Sequence, residues 1–267
     1  MRIPGKEKKT PYQKEWEALQ KKEKRLLEKR KQKKETAMNR LLAEKIPEKL
    51  QGTLDAAFEK AFHLIFEKGT GTIEKLYPKE KLEKEFKVNL YADSVYGSRK
   101  TLHAFSRKAG RTGVRNLAVS GLAGVGMGIL GIGLPDIPLF TGMILKCVYE
   151  ISLNYGFNYT EEKERYFVLL LIEGAVSYGE HLEETESRIE EFIRIPEVPE
   201  GYDPKKQISR TSRGLSKELL YMKFLQGIPV VGAVGGACDA VYMKQISSYA
   251  ELKYQKRFLT EYKKKRE

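Results

Sequence analysis

The stretch GLAGVGMGILGIGLPDIPLF, residues 121–140, differs most from the rest of this chain and limits the folds that it can adopt. It holds six glycines, two prolines and one charged side chain, Asp136, in a protein of which 32% is charged. The uncharged run around it covers residues 116–135, and a second uncharged run covers residues 224–238. Only the first has the length of a membrane-spanning helix, and its glycines and closing proline make it a weaker candidate for one. The sequence is therefore compatible with two interpretations of this stretch, a packed glycine-rich helix and a membrane segment.

The pattern of apolar residues elsewhere predicts helices. Residues 54–65 and 243–262 carry apolar side chains at three- and four-residue spacing, and no segment alternates between apolar and polar residues as a strand would. Residues 137–154 and 161–178 are long and compatible with helices, and a proline-marked connector is expected at residues 195–212. We therefore predict an all-α, multi-helix globular bundle with two glycine-rich helical segments and a charged N-terminal helical arm.

The charge is unevenly distributed. The chain has 49 Lys and Arg against 36 Asp and Glu, a net charge of +13, and residues 1–49 alone carry +9. Because residues 28–36 interrupt its apolar stripe completely, the arm is expected to be a solvated charged helix. We predict a basic, partly flexible helical arm at residues 1–49 and an all-α domain at residues 50–267.

Two features predict a cytoplasmic location. The N-terminus has no apolar segment of the kind found in signal peptides. The two cysteines, Cys147 and Cys238, both lie in apolar segments, which is typical of reduced core residues.

Two cationic clusters stand before the two glycine-rich runs. Because residues 107, 111 and 115 are four apart, a helix would place them on one face. Acidic lipid headgroups attract each such cation by about 1 kcal/mol near the membrane surface, so these clusters are our candidate lipid contacts. They consist of Arg107, Lys108, Arg111 and Arg115 in the first cluster and Lys205, Lys206, Arg210 and Arg213 in the second.

The glycines themselves are candidates for close helix packing or for insertion into lipid. Two pairs at a spacing of four match the small-residue pattern that lets helix backbones approach each other. The glycines concerned are Gly124, Gly126, Gly128, Gly131, Gly232, Gly235 and Gly236. Gly126, Gly128 and Gly131 also match the dinucleotide-binding motif G-x-G-x-x-G. No strand is predicted before them, however, and Pro135 and Pro138 would stop the helix that this motif requires.

Asp136 and Asp239 each close a glycine-rich run. Capping the following helix is the simple role for Asp136, and a polar or catalytic pair formed by both aspartates is the alternative. No nucleophile, general base or metal-ligand set is recognisable, so we predict no cofactor and no metal.

Two longer segments resemble the EcsC family of bacterial proteins. They are GLPDIPLFTGMILKCVYEISLNYGFNY, residues 133–159, and FLQGIPVVGAVGGACDAVYMKQISSYAELKYQKRFL, residues 224–259. The resemblance covers residues 50–265, and Asp239 departs from the asparagine that the family often has. It implies an all-α domain that works at the membrane, encoded in some bacteria beside an ABC exporter. It brings no established activity and no catalytic residues.

The sequence therefore predicts a non-enzymatic protein bound peripherally to the inner face of the membrane, with anionic lipid and an ABC exporter as candidate partners. An enzyme using Asp136 and Asp239 on lipids or peptides is one alternative, and an integral membrane hairpin is another. Nucleic-acid binding has thin support, because Tyr12 and Trp16 are the aromatic residues of the arm. The sequence indicates no oligomeric state.

Overall fold

The protein is helical throughout the part of the chain that its structure describes. The computed structural model describes residues 9–31, 48–67, 71–112, 137–225 and 235–266, and within these ranges it contains helices and no strand. The all-α prediction is confirmed. The helices are α1 (Pro11–Lys31), α2 (Glu48–Glu67), α3 (Gly71–Glu74), α4 (Lys79–Tyr96), α5 (residues 99–112), α6 (Ile137–Asn154), α7 (Glu162–Val176), α8 (Gly179–Arg194), α9 (Pro204–Leu225) and α10 (Gly235–Lys264).

The core forms around α6 and α7. Every residue from Tyr166 to Val176 is buried, because α7 is apolar on all sides and must be surrounded by other helices. It packs against α8, α9 and α10, while α6 packs against α2, α4 and α10. Helix α10 presents the stripe predicted from sequence, and its Phe258 ring lies 4.6 Å from that of Phe105 in α5.

The connector before α9 is shorter than the sequence indicated. Helix α9 begins at Pro204, eight residues before the predicted end of the connector at residue 212. Proline fits the first turn of a helix because its missing N–H would have no partner there. The Asp203 carboxylate accepts hydrogen bonds from the backbone N–H groups of Lys205 at 2.9 Å and Lys206 at 3.4 Å, which caps the helix.

Two carboxylates of α7 are buried and must be compensated. Glu164 accepts hydrogen bonds from Arg257 Nη1 and from the Tyr254 hydroxyl, both at 2.7 Å. Burial raises the pKa of the Glu164 carboxyl, and the Arg257 guanidinium opposes that rise. Glu173, which has no exposed surface, accepts from Gln207 Nε2 at 2.7 Å and lies 3.4 Å from Arg210 Nε. These contacts tie α9 and α10 to α7.

A third buried charge joins α1, α8 and α10. The ammonium group of Lys253 in α10 is wholly buried and donates to Glu186 at 2.5 Å, Glu23 at 2.6 Å and Glu190 at 3.1 Å. Burial alone would lower the pKa of Lys253, but the surrounding carboxylates outweigh this effect and raise it.

The packing of α1 differs from the solvated helix that the sequence predicted for the basic arm. Leu19 lies in the core, and Arg30 donates hydrogen bonds to the carbonyl oxygens of Gly174 at 3.0 Å and Ala175 at 2.7 Å. Those carbonyls belong to the last turn of α7, where the helix itself supplies no donors. Three charged residues of α1, Glu15, Glu23 and Arg30, are thus buried against the bundle, which the charge content of the arm does not indicate. The domain boundary at residue 49 stays a prediction.

No helix in the described ranges combines the length and the apolar character that crossing a bilayer requires. Residues 116–135, the spanning candidate of the sequence, lie wholly within residues 113–136, outside those ranges.

Gly156 ends α6 in a conformation that only glycine adopts readily. Its φ is +81°, and a Cβ atom added to it would collide with the ring of Phe86 in α4. We expect Gly156→Ala to lower the free energy of unfolding by about 1–3 kcal/mol, measured by urea denaturation. The control is Gly142→Ala within α6, where a Cβ would meet nothing within 4 Å; this change should be neutral or stabilising. Equal effects of the two variants would contradict this account.

Removing the Lys253 ammonium should leave the buried Glu186 carboxylate without its ion pair and weaken the compensation of Glu23 and Glu190. We expect Lys253→Met to lower the free energy of unfolding by about 3–5 kcal/mol in urea denaturation. Lys205→Met, which changes an exposed lysine in the same way, should alter it by no more than about 0.5 kcal/mol. A Lys253→Met protein as stable as the parent would mean that the cluster has no structural role.

The same cluster makes stability depend on pH. Burial would raise the pKa of the Glu23 carboxyl, but Lys253 and Lys256 together hold it below its usual value. A carboxyl with a lowered folded pKa contributes stability above its unfolded pKa, and that contribution is lost as the pH falls through the folded pKa. We therefore expect Glu23→Gln to destabilise the protein at pH near 7 and the difference from the parent to shrink below pH about 4.5, in urea titrations across this range. A difference that does not change with pH would contradict the assignment.

Candidate functional site

The candidate site lies on the antiparallel pair of helices α4 and α5, which Gly97 and Ser98 connect. Gly97 has a φ of +51°, and its N–H donates to the Asp93 carbonyl at 2.8 Å, which ends α4. Ser98 then begins α5: its hydroxyl accepts from the Thr101 N–H at 3.2 Å, and the Thr101 hydroxyl accepts from the Ser98 N–H at 3.1 Å. This reciprocal capping fixes the angle at which α5 leaves the turn.

A buried aspartate anchors the turn to the rest of the molecule. The Asp93 carboxylate is 1% exposed and accepts hydrogen bonds from the Thr101 and Tyr262 hydroxyls, both at 2.7 Å. Arg266 Nη2 lies 3.4 Å from the same carboxylate. Because Tyr262 belongs to α10, the α4–α5 pair is held in a fixed position on the bundle.

Three sides of α5 are engaged in contacts. Towards α1, Arg99 Nε donates to Glu15 at 2.9 Å, and His103 Nδ1 lies 3.3 Å from the same carboxylate. Towards α4, Lys108 Nζ lies 2.7 Å from Glu85 Oε2. The third side faces the core and buries Leu102, Phe105 and Ala109.

The fourth side of α5 presents three cations, Lys100, Arg107 and Arg111, which we call the α5 cationic face. All three are exposed, and their spacing of seven and four residues places them on one side of the helix. Across the described ranges, none of the three has an ion pair with an acidic side chain. Their charge is therefore available to an external anion.

The first predicted cluster is thus divided between two roles. Arg107 and Arg111 share a face, as their spacing predicted, and both are exposed. Lys108 instead contacts α4 and is neutralised by Glu85, because it lies about 100° around the helix from Arg107. Arg115 lies outside the described residues.

The second predicted cluster is partly used within the fold. Lys205 and Lys206 are exposed in the first turn of α9. Arg210 contacts the buried Glu173 and donates to Glu184 at 2.9 Å; burial would lower the pKa of its guanidinium, and these carboxylates raise it instead. Arg213 is exposed and lies 4.0 Å from Asp55. The lipid-binding role of all four stays a prediction.

The remaining predicted residues cannot be placed beside this surface. Asp136 and five of the candidate glycines lie outside the described residues: Gly124, Gly126, Gly128, Gly131 and Gly232. Gly235 and Gly236 form the start of α10, which also contains Asp239, whose side chain is outside the description. The proposed aspartate pair and the packing of the glycine runs stay predictions.

One acidic cluster has the spacing of metal ligands, although the sequence pointed to none. The carboxylates of Glu23, Glu186 and Glu190 approach within 4.8 Å of one another. Their oxygens accept hydrogen bonds from the ammonium groups of Lys253 and Lys256, which supply the countercharge that a cation would bring. The arrangement fits a structural ion-pair network.

Sequence reasoning missed the exposed apolar side chains of α4. Val88, Tyr91, Val95 and Tyr96 are exposed. Val88 also lines a groove between α4 and α5, together with Glu80, Lys81, Lys84, Glu85 and Lys108. The spacing of the four exposed residues, three, four and one, was visible in the sequence. It did not reveal that this side of α4 faces outwards, because a periodic pattern does not say which face the core covers.

The chain matches the model of the EcsC protein family over residues 13–259. It is also similar to Protein EcsC of Bacillus subtilis (strain 168), with 27% identity over 167 residues. That alignment covers 61% of this chain and 63% of the relative, so the chain spans less than two thirds of the relative's length. No solved structure matches. The family match includes α1, whereas the sequence resemblance was expected only from residue 50. Because the family model matches residues 13–259 of a chain of 267 residues, the chain belongs to the EcsC protein family.

Proposed function

We propose that the protein binds peripherally to anionic membrane surfaces, at the inner face of the membrane, through the α5 cationic face. The observation that supports this proposal is the set of three exposed cations on one side of a helix, which have no ion pair among the described residues and whose helix is held in place on its other sides. A fixed array of this kind meets a plane of phosphate groups without first having to be ordered.

The expected strength follows from the number of charges. Each cation near an acidic bilayer contributes about 1 kcal/mol, so Lys100, Arg107 and Arg111 together supply about 3 kcal/mol at low ionic strength. The attraction falls off over a Debye length of about 8 Å at physiological salt, so the face must approach the headgroups closely. Membership of the EcsC family adds an ABC exporter as a proposed partner at that membrane.

Charge reversal on α5 tests the proposal. We expect Arg107→Glu/Arg111→Glu to weaken binding to phosphatidylcholine vesicles that contain about one third phosphatidylglycerol by at least about tenfold, in co-sedimentation assays. The control is Lys49→Glu/Lys60→Glu, which makes the same change in net charge at two exposed positions of α2 and should reduce binding much less. Far-ultraviolet circular dichroism establishes that both variants are folded.

Two results would overturn the proposal. The first is binding that does not depend on the phosphatidylglycerol content or on salt, because electrostatic attraction must respond to both. The second is equal loss in the α5 and α2 variants, which would assign the effect to net charge and not to this face. Resistance of the native protein to carbonate extraction from membranes would favour the integral hairpin instead.

A further inference from the structure

The outer side of α4 is apolar although nothing in the described chain covers it. Its inner side packs Leu82 and Phe86 towards the core, and a second set of side chains faces solvent. These are Val88 at 65%, Tyr91 at 72%, Val95 at 57% and Tyr96 at 75% exposure, which we call the α4 stripe. Soluble helices normally place polar residues opposite the core, so a second apolar side indicates a contact outside the bundle.

The α4 stripe has the geometry of a single contact surface. Val88, Tyr91 and Val95 follow one another at intervals of three and four residues, which places them in a line along the helix. Tyr96 is exposed at the end of α4, next to the Gly97 turn, about 100° around the helix from Val95. Because Asp93 holds that turn through Thr101 and Tyr262, the stripe is presented on a rigid support.

The charges around the stripe identify what it meets. From residue 86 to residue 112 the sequence contains one acidic residue, Asp93, which is buried with its hydrogen-bond partners. The same segment holds Lys87 beside the stripe and the α5 cationic face on the adjoining helix. Among the carboxylates of α4, Glu85 is half-buried and is neutralised by Lys108, while the exposed Glu80 and Glu83 lie roughly 7–12 Å along the axis from Val88. The surface is therefore apolar and positive, which complements an anionic bilayer.

The residue types favour the boundary between headgroups and acyl chains. Tyrosine is enriched at membrane interfaces because its ring is apolar and its hydroxyl stays hydrated. Lysine beside an inserted helix keeps its ammonium group in the headgroup layer while its methylene chain lies on apolar surface. Tyr91 and Lys87, which are four residues apart, supply both features on one side of α4, and Tyr96 adds a second exposed ring at the end of the helix.

We propose that the α4 stripe inserts into the interfacial layer of an anionic bilayer, with α4 lying parallel to the membrane plane. This inference rests on the proposed function and adds to it an apolar, salt-resistant component of binding. The α5 cationic face attracts the membrane, and the stripe then holds the protein at a defined depth.

A fluorescent reporter in the stripe tests insertion. The chain has a single tryptophan, Trp16, so Trp16→Phe/Tyr91→Trp places the only indole at position 91. We expect its fluorescence to shift to shorter wavelength and to be quenched by brominated phosphatidylcholine in vesicles that also contain phosphatidylglycerol. Trp16→Phe/Leu64→Trp is the matched control, because Leu64 is an exposed apolar residue of α2, and its indole should be quenched much less.

Removing the stripe tests its contribution to binding. We expect Val88→Ser/Tyr91→Ser/Val95→Ser to weaken vesicle binding about tenfold and to make the remaining binding more sensitive to salt. Leu64→Ser should leave both properties unchanged. Urea denaturation establishes that the triple variant is folded, since the substituted side chains are exposed and carry little packing.

The outcomes separate this inference from the proposed function. If binding depends on phosphatidylglycerol but the indole of Trp16→Phe/Tyr91→Trp is not quenched, insertion is wrong and electrostatic binding stands. If neither variant set nor the native protein binds vesicles, both proposals fail. If sedimentation equilibrium without lipid shows self-association that the triple serine variant loses, the stripe is an interface between two copies of the chain, and the inference is overturned.

Discussion

The burial of α7 on all sides is the constraint on which the rest of the structure depends. A helix made of YFVLLLIEGAV cannot leave any side in water, so α8, α9 and α10 pack around it. The same helix carries Glu164 and Glu173 into that core, where an uncompensated carboxylate would cost several kcal/mol. Each neighbouring helix therefore has to bring a donor as well as an apolar face.

This requirement divides the basic residues of the protein into two groups. Arg257 pairs with Glu164, Arg210 reaches Glu173, and Lys253 lies among carboxylates of α1 and α8. Such cations compensate buried acids and contribute little to the field outside the molecule. The cations of the α5 cationic face have no such role, because α5 meets the core through apolar residues and is bordered by the carboxylates of Glu15 and Glu85. The count of 49 Lys and Arg residues thus overstates the cations that a partner would meet, and the position of each cation decides its role.

The two proposals concern the charged and the apolar parts of one surface, which α4 and α5 form together. The α5 cationic face accounts for attraction to an anionic layer, and the α4 stripe accounts for an apolar face that the bundle does not cover. Both sit on a helix pair fixed by Asp93, so the charged and apolar parts keep a constant relation to each other. The glycine-rich run follows α5 directly in the chain, which places it close to this surface in sequence.

Local patterns in the sequence are enough to predict the helical class and much of the packing. Three- and four-residue spacing predicted the core stripe of α10, and the predicted helix at residues 137–154 has the bounds of α6. It also identified Arg107 and Arg111 as neighbours on one helix face, since that relation depends only on the helical repeat. Local patterns of this kind need no knowledge of distant residues.

Only the tertiary structure decided which faces are covered and which charges are free. Nothing local distinguishes Lys108, which meets Glu85, from Arg107, which meets solvent, because the difference lies in the approach of α4. The docking of α1 depends in the same way on Glu23 and Lys253, which are 230 residues apart. The apolar residues of α4 likewise show helical spacing on both sides, and only the position of the bundle reveals that one of those sides faces outwards. Burial and ion pairing are properties of contacts between elements, so they emerge when the elements come together.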